Sequence, residues 1–313
     1  MLPLLIIIYN RPHNFQKLIN TLKKIKPKNI YIACDGPKSN VMDKHNVALT
    51  REKIKFIDWS CKVTTLFQKK NLGCKKGVIT AIDWFFDNNE MGVILEDDCI
   101  PNDNFFKFCY ELLNMYKNNH NIASIGGQHF MGNKHLIEES YFFSRHFHCW
   151  GWATWARSWN NFDPTMAKWK KFGSFTWLYK LCNKNLIFTY YWYKIFNDCY
   201  KNKIDSWAYR FLFYIISEKK LTILPSKNLV KNIGFGKSST HTSQGNYYTE
   251  NLELETMKFP LLHQTIFKPD VISDSWTDIN IFEITIWKII KAAILRRKFF
   301  KFIIVTIKKL FKS

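Results

Sequence analysis

The first third of the chain alternates short apolar segments with amphipathic ones. Residues 4–9 are apolar and β-branched, residues 13–26 carry apolar side chains at helical spacing, and residues 29–33 are apolar again. Strand, helix and strand in this order form a βαβ unit with a right-handed crossover. The alternation therefore predicts an α/β protein with a mostly parallel, Rossmann-like sheet flanked by helices.

The same alternation predicts further elements along the chain. We expect helices at 52–59, 76–88 and 104–116, and strands at 62–67 and 92–95. Beyond about residue 121 the sequence is aromatic-rich and less regular, with predicted helices at 174–183 and 205–217 and predicted strands at 123–126 and 221–225. Since no Pro/Gly/Ser linker separates these regions, residues 1–280 are treated as one domain with a first half at 1–120 and a second at 121–280.

Polar residues follow the predicted strands. Arg11 follows the first strand, Asp35 the second, and Glu96, Asp97 and Asp98 the strand at 92–95. Ligands of open α/β sheets bind beyond the carboxyl ends of the strands, so we expect these residues to meet in one crevice.

The three consecutive acids need compensation, because adjacent carboxylates repel and burial strengthens the repulsion. On an extended segment Glu96 and Asp98 would point to one side and Asp97 to the other. A divalent cation held by one or two carboxylates and bridged to substrate phosphates would relieve the repulsion. The alternative is a solvated acidic turn before a helix capped by Asn102, Asp103 or Asn104.

Six sequence blocks carry a resemblance to a known family. They are IIIYNRP, YIACDGP, NLGCKKGVITAIDWFF, VILEDDCIPNDNFFKF, HCWGWATWARSW and NLVKNIGFGKSSTHT, in this order across residues 4–242. The series resembles bacterial nucleotide-diphospho-sugar transferases of the GT-A fold. More distantly it is similar to eukaryotic N-acetylglucosaminyltransferases with an E-D-D version of the D-x-D motif.

The resemblance implies a GT-A fold and an inverting, metal-dependent hexosyltransferase. Its donor would be a nucleotide sugar, with UDP as the expected nucleotide, and its acceptor a hydroxyl of a growing cell-surface glycan such as lipopolysaccharide or a lipid-linked precursor. Position by position, the resemblance implies the following roles: Asp98 binds Mn²⁺ or Mg²⁺, Asp97 contacts the ribose, Glu96 faces the donor sugar, Asp35 binds the nucleobase, Arg11 borders that pocket, and Lys76 lies on the nucleotide side.

A catalytic base is also required, because the attacking hydroxyl must lose its proton. In the related inverting enzymes it opens a helix in a short motif of an acid and an aromatic residue, and Asp205 in KIDSWAYRF takes that place. The relatives tend to show Trp before the acid, whereas Ile204 stands here. Asp205 also fits the N-cap of the predicted helix, and Asp198 is the nearest rival acid.

Two further segments supply candidate contacts. NIGFGKSSTHT at 232–242 is a candidate loop over the diphosphate, with Lys237, Ser239 and His241 as donors, or else a surface turn. Within HCWGWATWARSW, Gly151 and Trp152 are the expected sugar or acceptor contacts, although large aromatic residues more often lie in a core.

The C-terminal segment, residues 281–313, contains nine Lys or Arg and one Glu, a net charge of 9 − 1 = +8. Its apolar and basic positions separate at helical spacing, which favours a basic amphipathic helix on an anionic membrane surface. Alternatively, the helix packs on the domain with its basic side in water. The lack of a basic leader and of paired cysteine spacing favours a cytoplasmic protein at the inner face of the plasma membrane.

Two other function classes agree with part of the sequence. The net charge of +21 suits a nucleic-acid-binding protein, but removing the C-terminal segment leaves +21 − 8 = +13, and no nucleic-acid module is recognisable. We therefore expect no nucleic-acid partner. A non-catalytic sugar-binding member of the fold would lack Asp98 or Asp205, and both are present.

Overall fold

An eight-stranded sheet organises the chain, for which the computed structural model describes residues 2–135, 137–182, 184–235 and 247–285. The strands are β1 Leu4–Ile8, β2 Asn29–Cys34, β3 Lys62–Phe67, β4 Met91–Glu96, β5 Cys99–Pro101, β6 Ile122–Gly126, β7 Tyr141–Ser144, β8 Trp152–Trp155, β9 Leu221–Pro225 and β10 Val230–Asn232. The α-helices are α1 Pro12–Ile25, α2 Val41–Glu52, α3 Gly73–Phe86, α4 Asp103–Met115, α5 Ala156–Trp159, α6 Ala167–Phe172, α7 Phe175–Leu181, α8 Leu186–Tyr200, α9 Ala208–Ser217, α10 Tyr247–Glu250 and α11 Val271–Asn280.

The strand order of the large sheet is β3-β2-β1-β4-β8-β6-β9-β7. The pairings orient β1 to β4, β6 and β9 in one direction, and only β7 and β8 run against them. The predicted α/β class with a mostly parallel sheet is thus confirmed. The second half of the chain contributes β6 to β9 to the same sheet as the first half.

Helices cover both faces of this sheet, and alternation along β1 shows how the core is divided. Leu4, Ile6 and Ile8 face the layer that contains α1 and α4, whereas Leu5 faces the layer that contains α3 and α9. Because β1 is buried on both faces, its sequence is apolar at every position instead of alternating with polar residues.

One predicted helix is wrong. Residues 52–59 were expected to be helical, but α2 ends at Glu52 and a single 3₁₀ turn, Lys53–Phe56, follows it. The helix begins earlier because Asn40 caps it, with its side chain accepting from the backbone N–H of Asp43. Helix α8 was also missed, since its aromatic-rich sequence shows no clear polar face.

The segment after the acids contains the helix cap predicted from the sequence, although Asp97 and Asp98 are buried and do not form a solvated turn. A short antiparallel pair, β5 with β10, follows Asp98 directly. Asn102 then caps α4 by accepting from the N–H of Phe105. The predicted cap is therefore present, and it lies beyond the acids without using them.

The described chain ends with contacts that continue past the predicted boundary at residue 280. Phe282 and Ile284 pack against the layer that contains α3 and α9, and Ile284 is almost fully buried. Residues 286–313, most of the predicted basic segment, lie outside the described residues. None of the helices described is long and apolar enough to span a bilayer.

Candidate functional site

Arg11 and two of the three acids meet at the carboxyl ends of β1 and β4. Arg11 Nη1 lies 2.6 Å from Asp98 Oδ2 and 3.3 Å from Asp97 Oδ1. The backbone N–H of Tyr9 donates to Asp97 Oδ2 at 3.3 Å. Residues 97 and 98 form a turn, so the expected alternation of an extended segment is wrong, and both aspartates converge on the guanidinium.

The electrostatics of this cluster reflect burial and mutual repulsion. Burial, then Asp98 and Asp97, raises the pKa of Glu96 to about 8. Burial and Asp98 raise the pKa of Asp97 to about 7, although Arg11 opposes the shift. Burial lowers the pKa of Arg11, but the two aspartates outweigh it and raise that pKa above its usual value. One guanidinium therefore does not compensate all three acids, and either a bound proton or a further cation would relieve the remaining repulsion.

The Gly-rich stretch begins directly on Asp98. Ile233 donates its N–H to the Asp98 carbonyl at 2.8 Å, and Asn232 Nδ2 donates to Asp98 Oδ1 at 3.4 Å. A Cβ at Gly234 would overlap the Asp98 carboxylate, so only glycine allows the backbone this close. The three predicted donors from this stretch, Lys237, Ser239 and His241, lie outside the described residues.

The oxygen donors at the crevice suit a hard divalent cation. Asp98, the predicted ligand, could hold Mn²⁺ or Mg²⁺ there, and Asp97 offers further carboxylate oxygens beside it. Among the residues described, no group of three or more His, Cys, Asp or Glu side chains could by itself hold a metal.

Asp35 lies at the same end of the sheet, where its carboxylate receives the first N–H groups of α3. Leu72 and Gly73 donate their N–H groups to it at 2.9 and 3.0 Å, and Asn71 Nδ2 donates at 3.1 Å. A carboxylate at a helix N-terminus is favourable, so Asp35 fixes the NLGCKKG loop in place. Its contact with a nucleobase stays a prediction. Lys76 lies exposed in the first turn of the same helix.

A further buried acid, Asp43, orders the loop after β1, and it was not identified from the sequence. Its carboxylate accepts from Tyr9 Oη at 2.7 Å, Asn10 Nδ2 at 2.6 Å and the N–H of Lys38 at 2.6 Å. These hydrogen bonds outweigh burial and lower the pKa of Asp43, which therefore stays ionised. The spacing of Asn40 and Asp43 as a helix start was the available signal.

Asp205 reaches the crevice from the second half of the chain. It is exposed, and a Cβ at Gly73 would lie 3.3 Å from its Oδ2. Burial, then Glu96 and Asp205, raises the pKa of Cys74 to about 12. The predicted base thus lies beside the first residue of α3, whose N–H binds Asp35.

The competing interpretations of Asp205 and Asp198 differ in their contacts. Helix α9 begins at Ala208, and Ser206 Oγ, not Asp205, accepts from the N–H of Tyr209 at 3.3 Å. The N-cap alternative for Asp205 is therefore wrong. Asp198 lies within α8 beside Lys203, with 3.9 Å between Oδ1 and Nζ.

Asn202 fixes the loop that carries Asp205. Its backbone is left-handed (φ 54°), and its Oδ1 accepts from Lys75 Nζ at 2.7 Å and Arg210 Nη2 at 3.0 Å. Arg210 is buried and also donates to the carbonyls of Pro164 and Cys199. One amide oxygen therefore ties the loop both to α3 and to α9, which sequence patterns could not reveal.

The two predicted sugar contacts have different surroundings. Gly151 adopts φ +73°, and a Cβ there would come within 2.9 Å of Val230. Trp152 is 1% exposed in β8 and stacks on Trp207 with 5.6 Å between ring centroids. The expected sugar contact at Trp152 is wrong, because its ring is part of the core.

Comparisons with known proteins give low similarity. No protein-family profile matches the chain, and no curated protein matches it. Among solved structures, the mannosyltransferase PcManGT from Pyrobaculum calidifontis, in complex with GDP-Man and Mn²⁺, aligns with 11% identity and a TM-score of 0.34, covering 49% of this chain and 44% of that one. This chain thus spans less than half of that protein's length.

Two further solved structures align over a similar share of this chain. HddC from Yersinia pseudotuberculosis aligns with 10% identity and a TM-score of 0.32, covering 50% of this chain and 78% of that one. A UDP-glucose pyrophosphorylase complexed with UDP-glucose aligns with 11% identity and a TM-score of 0.28, covering 51% and 71%. Similarity at this level does not assign an activity, so the site is interpreted from its own residues.

Proposed function

We propose that this chain is a metal-dependent, inverting glycosyltransferase. It would move a sugar from a nucleotide-diphospho-sugar, with UDP as the nucleotide, to a hydroxyl of a growing cell-surface glycan. The observation that carries the proposal is that Asp205, from the loop before α9, lies beside Gly73 at the start of α3, at the same end of the sheet where Arg11 pairs with Asp98.

The chemistry needs stabilisation of a leaving group and removal of one proton. When the bond from the anomeric carbon to the phosphate oxygen breaks, negative charge grows on the nucleoside diphosphate, where Arg11 and the cation held by Asp98 would stabilise it. Asp205 would accept the proton of the acceptor hydroxyl as its oxygen attacks the anomeric carbon. A single displacement of this kind inverts the anomeric configuration.

The thiols in the crevice do not suggest a covalent route. Burial, then the neighbouring acids, raises the pKa of both Cys74 and Cys149, so each thiol stays protonated near neutral pH. The exposed carboxylate of Asp205 suits general-base catalysis, which supports the single displacement over a cysteine-linked intermediate.

We further propose that the protein acts at the cytoplasmic face of the plasma membrane. The charge of +8 on residues 281–313 supports attraction to anionic lipid, which would place the crevice near a lipid-linked acceptor.

The donor assignment can be tested by thermal unfolding in the presence of nucleotide sugars. A ligand that binds the folded state raises the apparent unfolding temperature, so a true donor should do so with Mn²⁺ or Mg²⁺ and much less with a chelator. Asp98→Asn should remove this metal-dependent shift, whereas Asp103→Asn, on the exposed first turn of α4, should keep it. Absence of any shift across UDP, GDP and CMP sugars would contradict the proposal.

A further inference from the structure

Helix α11 has its polar side inward and its apolar side outward. Ser273, Asp274, Thr277 and Asp278 are buried, whereas Val271, Ile272 and Ile279 are 63%, 62% and 48% exposed. At about 100° per residue these three side chains form one outward stripe, roughly opposite the buried polar one. A surface helix ordinarily shows the reverse pattern.

Specific contacts hold the inward polar side in place. Asp274 accepts from Ser144 Oγ at 2.5 Å and from the N–H of Arg145 at 3.2 Å. Asp278 lies 2.5 Å from Arg145 Nη2 and 3.3 Å from His146 Nε2. Rotating the helix to bury the stripe would pull Asp274 and Asp278 away from Arg145 and leave that guanidinium without its carboxylate partners, so these contacts hold the helix in this orientation.

The outward stripe carries no charge, and basic sequence follows it. Both aspartates of α11 face inward, so the exposed positions of the helix offer nothing that repels an anion. Two more exposed apolar side chains, Ile266 and Phe267, and the exposed Lys268 precede the helix. Directly after it begins the segment of net charge +8, residues 281–313.

We propose that the outward stripe of Val271, Ile272 and Ile279 inserts into the interface of an anionic lipid bilayer. Stable attachment to a membrane takes two signals, an apolar one and a basic one. The basic segment supplies attraction that salt screens, and the stripe supplies burial of apolar area that salt does not screen. This extends the proposed membrane location and is independent of the proposed transfer reaction.

The experiment uses the full chain and vesicles of phosphatidylcholine with or without phosphatidylserine, measured by flotation. Ile272→Asn with Ile279→Asn should weaken binding to the anionic vesicles about tenfold, because less apolar area is buried. Ile272→Trp should strengthen it, since Trp favours the membrane interface. Phe56→Asn is the matched control, because Phe56 is also exposed, at 44%. It lies on the 3₁₀ turn before β3, which is one edge strand of the sheet, whereas α11 contacts Ser144 of β7, the other edge strand.

Salt separates the stripe from the basic segment. At about 1 M salt, charges are screened beyond about 3 Å, so the residual binding of the unchanged chain should depend on Ile272 and Ile279. The full chain with Lys291→Glu, Lys298→Glu and Lys301→Glu should lose the vesicle binding that salt weakens and keep the vesicle binding that remains at high salt.

Other occupants of the stripe give different results, and each would overturn the proposal. If the chain's own C-terminal segment covered the stripe, the Asn pair would lower the unfolding temperature without changing vesicle binding. If a second copy covered it, the Asn pair would change the molecular mass in solution. Equal binding by the Asn pair, the Trp variant and the unchanged chain at high salt would also overturn it.

Discussion

Arg11 Nη1 lies 2.6 Å from Asp98 Oδ2, so the residue predicted to border the nucleotide already neutralises the residue predicted to bind metal. Replacing the guanidinium by Arg11→Gln would leave Asp97 and Asp98 buried with no cation. Breaking a buried ion pair costs about 3 kcal/mol, and we expect a loss of that order in the free energy of unfolding without metal. Mn²⁺ should restore part of it, more than it stabilises the unchanged chain, which chemical denaturation with and without the ion will measure.

The control for this prediction is an exposed ion pair. Lys23 and Asp58 pair on the surface with more than half of each side chain exposed, so Lys23→Gln should change stability little and respond to no metal. The double variant Arg11→Gln with Asp98→Asn should be more stable than Arg11→Gln alone. Equal Mn²⁺ stabilisation of Arg11→Gln and the unchanged chain would argue against a shared cation position at Asp98.

Asp98→Asn tests the same carboxylate in the reaction. With metal and donor present, sugar transfer should fall by about 100-fold or more, because the diphosphate loses stabilisation as charge develops on it. Asp103→Asn removes one negative charge from the exposed first turn of α4 and should leave transfer unchanged. Full metal-dependent transfer by Asp98→Asn would remove Asp98 from the metal site.

Asp205→Asn tests the base. Removing a positioned general base should lower kcat by about 100-fold or more with little change in donor KM, because the donor does not depend on that proton transfer. Asp198→Asn, in α8 beside Lys203, should keep kcat. Normal transfer by Asp205→Asn together with loss in Asp198→Asn would assign the base to Asp198.

The sequence predicted the elements whose signal is local. Residues 62–67 and 221–225 are strands with the expected bounds, and α1 and α4 differ from prediction by about one residue, because apolar periodicity and flanking turns mark them. Helix α11 could not be recognised in this way, since its buried positions are polar and their partners, Ser144 and Arg145, lie far away in the sequence.

The sequence predicted which residues gather at the site, but not which of them contact one another. Strand ends indicated that Arg11, Asp35 and the three acids share one edge of the sheet. The Arg11–Asp98 pair depends on the turn at residues 97–98, and the capping of α3 by Asp35 depends on the path of the NLGCKKG loop. Hydrophobic periodicity predicts helices and strands but not the paths of turns and loops. Trp152 was misassigned because buried and sugar-binding tryptophans look alike in a sequence.

Gly234→Ala tests the close approach of the Gly-rich stretch to the acids. A Cβ there would overlap the Asp98 carboxylate, so the backbone or the carboxylate must move. We expect weaker metal-dependent donor binding with only a modest change in stability, measured by calorimetric titration of donor with Mn²⁺. Gly132→Ala is the control for backbone strain, since nothing lies within 4 Å of its Cβ position but φ is +56°; it should lower stability and leave donor affinity unchanged. Unchanged donor affinity in Gly234→Ala would show that Asp98 tolerates displacement.

Asn202→Gly tests whether the loop positions Asp205. Glycine accepts the left-handed backbone at this position, so the variant removes the amide without adding strain. Lys75 and Arg210 would lose their shared acceptor, and Asp205 would be held less firmly against Gly73. A displacement of about 1 Å can cost about 100-fold in rate, so kcat should fall by 10-fold to about 100-fold while donor KM stays unchanged.

Asn202→Asp keeps an acceptor for both cations and should retain most of the activity, which a purely structural loss would not predict. If Asn202→Gly lowered stability yet kept kcat, the loop would serve folding alone; rescue by Asp with matching kcat would instead show that the link from α3 through Asn202 to α9 sets the position of the base.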